Sequence, residues 1–371
     1  MDGSLPMGDG FDIEVVIDQL RRPVPGGTGT YARGLIQGLV AARTHDVAIT
    51  LRASRRATEP DLLEGLPFPL STWPLRQPWS QPLVDVGLFR AGHEAALLHT
   101  VTLGGPRPRK GQLATLAVHD LLWRSPEMTL TRRGVRWHER AYQRARSQRA
   151  GVVTGARSVG DELIADGWPS EDVVVIPHGT DHVAAPDLDA ARTLLEARGV
   201  TGPYIVTAST LEPRKNLARL VEAHRSVRAA GFDLSLVVVG PTGWGNAGLI
   251  NADATVVAVG HVPSSTLSGL LVGASLVAHV ALAEGYGLPV AEAMALGCAV
   301  VASTTTPSAV ELGAGVLVDP LDVDAIATGI ISLLHDDGRR RAAQVHAAQA
   351  TASLTWARSA SAHLNFWRQR G

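Results

Sequence analysis

The feature that most constrains this chain is a short apolar, often β-branched run that recurs without alternating with polar residues. Val15–Asp18, Val47–Ala53, Ala95–Thr100, Leu113–Asp120, Gly151–Ala156 and Val173–Pro177 are the runs of the first half. Tyr204–Ser209, Leu234–Gly240, Thr255–Gly260, Ser275–Ala281, Ala299–Ser303 and Val316–Asp319 are those of the second. Helical patterns such as Thr30–Ala41, Leu217–Ala230 and Asp322–His335 lie between them. A strand with one wet face alternates, whereas a strand covered on both faces reads as a continuous apolar run. The pattern therefore predicts an α/β protein with two doubly wound, Rossmann-like parallel sheets. No period of 20–50 residues recurs, which excludes solenoids and propellers.

The junction between sheets is expected at Thr180–Pro203, where Pro186 and Pro203 flank a short helical stretch, Leu188–Arg198. Residues 1–10 read as a flexible start, 11–185 as the first domain and 186–354 as the second. Two such sheets facing a central cleft would offer it the carboxyl ends of both sets of strands.

Composition removes several classes. In 371 residues, 45% hydrophobic content supports a core and argues against disorder. Thirty-four Lys and Arg against 35 Asp and Glu give a net charge of -1, so no nucleic-acid partner is expected. The single cysteine, Cys298, excludes a disulfide framework and a cysteine zinc cluster, and reads as an inert core thiol. The opening MDGSLPMGDG has no apolar run of a signal peptide. No stretch approaches the roughly 18–20 apolar residues of a membrane span, so a soluble cytoplasmic protein is expected.

Four motifs carry candidate chemistry. Gly27-Thr28-Gly29-Thr30-Tyr31-Ala32 has dinucleotide-loop spacing, but Gln19–Gly26 separate it from its strand and no acidic residue closes the next one. Its free N–H groups before a helix suit a phosphate, and a plain flexible loop is equally compatible. Glu284-Gly285-Tyr286-Gly287-Leu288-Pro289 opens a helix after a strand, with Glu292 about two turns in. Backbone N–H groups there suit an anion, and the two carboxylates suit the hydroxyls of one elongated ligand. Leu211-Glu212-Pro213-Arg214-Lys215-Asn216 follows Tyr204–Ser209 and places two cations where a diphosphate can be held. His119-Asp120 end Leu113–Asp120, and His119 is a candidate for substrate contact or proton management.

Other features read differently. Asp187-Leu188-Asp189 and Asp322-Val323-Asp324 fit helix N-terminal acids rather than metal ligands. His178 and His182 flank Gly179 and make no metal pair. Arg132, Arg136, Arg140 and Arg144 recur every four residues along a helix over Thr131–Arg149. A solvated face is the plainer reading of that stripe, and an anionic acceptor or the inner membrane surface its functional one.

Over Val15 to about Trp367 the chain resembles family 4 glycosyltransferases, the retaining class of GT-B fold. Glu284 to Pro289 with Glu292 match their E-x7-E motif, and Asp319-Pro320, Leu211–Asn216, Gly26-Gly27, His119-Asp120 and Ile176–Asp181 match further stations. The resemblance implies a hexosyltransferase, mannosyltransferase-like, in polysaccharide or glycoconjugate synthesis. It would use a nucleoside diphosphate sugar as co-substrate, no cofactor and no metal. The acceptor would be a hydroxyl of a glycan, glycolipid or small molecule. Lys215 and Arg214 would bind the diphosphate, and Glu292 the ribose. Glu284 would touch the donor sugar, beside the backbone of Tyr286, Gly287 and Leu288. Gly27 would approach the phosphate, His119 the transferred sugar, and Val262 the nucleobase through its backbone. The terminal helix, 355–371, would pack on the first domain. Some stations differ: Ser209 stands where many members have Arg, and His178 where they have Asn. The alternatives are a sugar-nucleotide epimerase or hydrolase on the same scaffold, and a non-catalytic sugar-nucleotide-binding subunit.

Overall fold

The computed structural model describes residues 11–42, 47–55, 63, 65–76, 84, 95–125, 130–210, 212–241 and 253–370. The expected flexible stretch 1–10, Leu211 and Gly371 of the terminal helix lie outside the described residues. The chain divides into two units. Unit one comprises residues 1–123, 130–179 and 355–371; unit two comprises 124–129 and 180–354.

The strands are β1 (Phe11–Val16), β2 (Val47–Arg55), β3 (Leu70–Arg76), β4 (Leu97–Thr100), β5 (Leu113–Ala117), β6 (Gly151–Thr154) and β7 (Val173–Val175) in unit one. Unit two holds β8 (Tyr204–Ala208), β9 (Ser235–Val239), β10 (Val256–Gly260), β11 (Leu276–His279), β12 (Val300–Ser303) and β13 (Val316–Val318). The helices used below are α1 (Gly26–Ala41), α2 (Arg132–Ser147), α3 (Arg157–Ala165), α4 (Leu188–Ala197), α5 (Leu217–Ala229), α6 (Ser264–Val272), α7 (Leu288–Ala295) and α8 (Pro307–Glu311). They continue with α9 (Val323–His335), α10 (Asp337–Thr351) and α11 (Trp356–Arg370).

Both sheets are parallel in every pairing. Unit one orders its strands β3-β2-β1-β4-β5-β6-β7, unit two β10-β9-β8-β11-β12-β13. The unbroken apolar runs have a direct physical reason in unit two. Ile205 of β8 lies in one core and its neighbour Val206 in the other, and Leu236–Val237, Leu276–Val277 and Val301–Val300 divide the same way. Successive side chains leave opposite faces of a strand, and helices cover both faces here.

Two expectations need correction, and one strand lies outside the predicted pattern. β3 was not foreseen, because Pro74 interrupts its pattern; it survives as an edge strand, where a missing N–H is tolerated. α1 starts at Gly26, so Gly26-Gly27 form its first turn instead of preceding it. β5 ends at Ala117, which puts His119 and Asp120 in the loop just beyond the strand.

α11 packs on α1 in unit one. A Cβ at Gly34 would overlap the Trp356 indole, so the glycine lets the two helices approach. The same contact buries a polar chain. His363 donates from Nδ1 to the Ser359 carbonyl (2.7 Å), so its Nε2 accepts the Tyr31 hydroxyl (2.9 Å). His99 lies at 3.4 Å from that hydroxyl and bonds Thr115 at 2.9 Å.

Candidate functional site

In an open parallel sheet, ligand sites form beyond the carboxyl ends of neighbouring strands whose connections run in opposite directions. In unit two that point lies between β8 and β11. The loop after β8 tightens into a 3-10 turn, Pro213–Lys215, and Asn216 follows in the left-handed region at φ 60°. Its side-chain amide donates to the carbonyls of Val280 (3.0 Å) and Pro320 (2.7 Å). One buried residue thus fastens the loops that follow β8, β11 and β13 to one another. Leu282 N–H adds a bond to the Arg214 carbonyl at 2.8 Å.

This stitching gathers Arg214, Lys215 and Glu284. Glu284 accepts from Lys215 Nζ at 2.5 Å, from Arg214 at 3.0 Å and from His279 Nε2 at 3.0 Å. Arg214 also donates to the Ala283 carbonyl at 2.6 Å. The side chains of the four residues are 4–15% exposed, so this is no solvated charge pair. Burial opposes ionisation of Glu284; Lys215, the His279 bond and Arg214 together outweigh it and hold the carboxyl well below the usual range. The Lys215 ammonium has three N–H donors, so its bond to Glu284 leaves capacity for an anion.

Glu284 leads directly into the turn that starts α7. Gly287 has φ 93°, and a Cβ there would overlap the Thr306 methyl. Ser308 secures the turn: its N–H donates to the Tyr286 carbonyl and its hydroxyl to the Gly287 carbonyl, both at 2.8 Å. Tyr286 and Leu288 are buried, and Pro289 occupies the first helical turn as the sequence predicts. The first-turn N–H groups of α7 therefore begin next to the charged cluster, with the positive end of the helix.

Glu292 sits on α7 but apart from the Glu284 cluster in its bonding: its Oε1 lies 2.9 Å from His182 Nε2. Val262 follows the edge strand β10, with its side chain in a hydrophobic core; β9 and β8 separate β10 from β11. Sequence reasoning missed three contributors. His279 closes the apolar run of β11, His182 follows Gly179 in a loop, and Asn216 stood in a motif without a role. Only a histidine ending an otherwise apolar strand was a readable signal.

In unit one the corresponding switch point lies between β1 and β4. A cavity of about 180 Å³ is found among the loops beyond β1, β4 and β5, bordered by Gln19, Thr28, Thr102, His119, Asp120 and Trp123. His119 donates from Nε2 to the Val101 carbonyl at 2.9 Å, which leaves Nδ1 as an acceptor. Burial holds its pKa below the ordinary imidazole value, so the ring is neutral at neutral pH. Tyr31 meets it edge-on, with ring centroids 4.9 Å apart. Gly27 lies in the exposed first turn of α1, next to the cavity-lining Thr28.

The two Asp-x-Asp pairs are caps. Asp187 accepts from Ala190 N–H and Asp322 from Ala325 N–H, both at 2.9 Å. Cys298 is buried, its thiol pushed up to about 12 by burial and directed at the Leu271 carbonyl.

Residues 202–336 match the family model described as Glycosyl transferases group 1. The chain is 25% identical over 273 residues to the O-antigen chain mannosyltransferase B of Escherichia coli, covering 70% of this chain and 71% of that one. It is 28% identical over 348 residues to the GDP-mannose-dependent alpha-(1-6)-phosphatidylinositol monomannoside mannosyltransferase of Mycobacterium tuberculosis, strain CDC 1551 / Oshkosh. That match covers 85% of this chain and 88% of the relative. The crystal structure of Anabaena HepE in complex with UDP and glucose superimposes with a TM-score of 0.72 at 19% identity, covering 97% of this chain and 100% of that one. The two parallel-sheet units are those of a GT-B architecture. With the match across unit two and the mannosyltransferase relatives, the chain is a glycosyltransferase.

Proposed function

We propose that the chain moves a hexose from a nucleoside diphosphate sugar to a hydroxyl of an acceptor, retains the anomeric configuration and needs no metal. Mannose from GDP-mannose is the first donor to test, since both relatives named above are mannosyltransferases and one is GDP-mannose-dependent. The observation that carries the reading is the Arg214–Lys215–Glu284–His279 cluster beside the start of α7. The leaving diphosphate gains negative charge as the glycosidic bond breaks. Lys215, Arg214 and the first-turn N–H groups of α7 supply the opposing charge from fixed positions, the role a divalent ion fills elsewhere. Glu284 holds both cations in place and presents carboxylate oxygen to sugar hydroxyls. Glu292 receives the ribose diol, with His182 orienting its carboxylate. Gly27 meets phosphate, the Val262 backbone lies at the nucleobase, and neutral His119 contacts the transferred sugar.

The test is product formation from a panel of nucleoside diphosphate hexoses with mono- and oligosaccharide acceptors, with and without EDTA. Release of nucleoside diphosphate that requires an acceptor, an unchanged anomeric signal in the product and activity in EDTA are expected. Donor hydrolysis without transfer, an inverted product, or loss in EDTA restored by Mg²⁺ would each overturn its part of the reading.

A further inference from the structure

We infer that unit one carries a two-part acceptor site, in which a sugar ring enters the His119 cavity and an anionic group of the same acceptor lies in an arginine-lined groove along α2. The inference rests on the proposed transfer reaction and names the substrate class of its acceptor.

The groove is separate from the His119 cavity and has a volume of about 1270 Å³. Arg107, Arg132, Arg133, Arg136, Arg140 and Arg144 line it, and no carboxylate does among the described residues. Arg107, Arg132, Arg133, Arg136 and Arg140 have no carboxylate partner among the described residues. The contrast within the same helix is informative. Arg146, on another side of α2, lies 3.5 Å from the Asp166 carboxylate and donates to the Asp166 carbonyl at 2.6 Å. Glu139 of the same helix is not among the residues lining the groove; it accepts from Trp123 Nε1 at 3.2 Å and from Gln143 at 2.8 Å. Like charges four apart on a helix repel, so Arg132, Arg136 and Arg140, with no carboxylate partner among the described residues, suit an anion from outside the chain. Guanidinium forks fit phosphate oxygens in pairs, which favours a phosphate or phosphodiester over a single carboxylate.

Trp137 connects the two sites, because it lines both the groove and the smaller cavity. Trp123, stacked on His138 at 5.5 Å between centroids, forms another wall of the cavity. Flat indole faces beside Gln19 and Asp120, which exchange hydrogen bonds with hydroxyls, suit a sugar ring. The cavity volume accommodates one small polar ring rather than a drug-sized ligand. The acceptor so described has a neutral sugar end and a phosphate within reach of it.

The full-length protein is assayed with two acceptors, methyl α-mannoside and the same glycoside with a phosphodiester aglycone. The anionic acceptor should have a KM about tenfold lower at low salt, the factor expected for a charge-assisted contact, and added salt should shrink the advantage. In Arg136→Gln/Arg140→Gln the KM ratio should approach one; Trp137→Ala should raise KM for both acceptors, and Trp137→Phe should restore most of it. Equal KM values for the two acceptors in the native protein overturn the inference. Sedimentation with phosphatidylglycerol vesicles but not phosphatidylcholine vesicles, without preference for the anionic acceptor, also overturns it and assigns the groove to a lipid surface. Calorimetry with the phosphodiester glycoside needs no turnover. Binding that the double variant weakens, with no transfer to either acceptor, would sustain the anion groove while the transfer reading fails.

Discussion

The two units share one backbone plan and use its switch point in opposite electrostatic ways. Beyond β8 and β11, unit two buries two cations and a carboxylate, each compensating the others. Beyond β1 and β4, unit one places a neutral imidazole, aromatic walls and one carboxylate at the rim, and lines a separate groove along α2 with arginines. Parallel sheets fix where a site forms; the loops that leave them fix its charge. Two copies of the same topology thus carry strand-end sites of different charge.

The sharpest break of the comparison is Glu284→Gln. It leaves the largely buried Lys215 and Arg214 without their shared carboxylate, Arg214 keeping Glu212 at 3.6 Å, and removing one partner of a buried pair costs about 3–5 kcal/mol. Chemical denaturation should show that loss in unit two first; a change within 0.5 kcal/mol, as at an ordinary surface site, would mean that the cluster is not held by charge.

Acid should separate the units in the other direction. Burial keeps His99, His119 and His363 below the ordinary imidazole value, His363 at about 4. A lowered histidine favours the neutral folded form, so its contribution is complete above pH 6.5 and is lost as pH falls, when only the unfolded chain takes up protons. His363 alone then accounts for about 3 kcal/mol between pH 6.5 and 4, at 1.36 kcal/mol per pH unit. Unit two has the buried His224 shifted the same way, while the lowered carboxyl of Glu284 keeps its contribution until pH falls below the ordinary carboxylate value. Hydrogen exchange at pH 7 and pH 5 should show unit one losing protection first. Earlier loss in unit two would contradict the assignment.

A smaller effect distinguishes turnover from donor capture. His119→Ala should lower kcat by about 10²-fold, the usual contribution of a positioned catalytic group. Affinity for the nucleoside diphosphate, assigned to unit two, should stay within twofold of about its native value. Kinetics and calorimetry on one folded preparation decide it, and near-normal turnover would make His119 a structural residue.

Glu292→Ala should show the converse, weaker donor binding by about 1.5–3 kcal/mol, the worth of a hydrogen bond to a charged group. His182→Ala should produce a fraction of that loss through a less ordered carboxylate. Unchanged affinity for the nucleoside diphosphate in Glu292→Ala would remove the ribose assignment.

The strand runs, the Asp187 and Asp322 caps and the Gly287–Pro289 helix start were determined by the sequence itself. Each depends on interactions within a few residues, or on a burial that every position of the run shares, so local order carries the information. The strand with Pro74 was not legible, because only its place at the sheet edge makes the missing N–H harmless. Nor were the partners of the charged residues. Lys215 and Glu284 meet across 69 positions, His182 and Glu292 across 110, and Tyr31 and His363 across 332. Such pairs depend on which loop crosses which strand end. The tertiary structure alone decided that Arg214 and Lys215 are largely withdrawn from solvent against a carboxylate, whereas Arg136 and Arg140 face an open groove. Spacing along the chain is identical for a solvated cation and a buried one; desolvation and the nearest opposite charge, both set by packing, make them different.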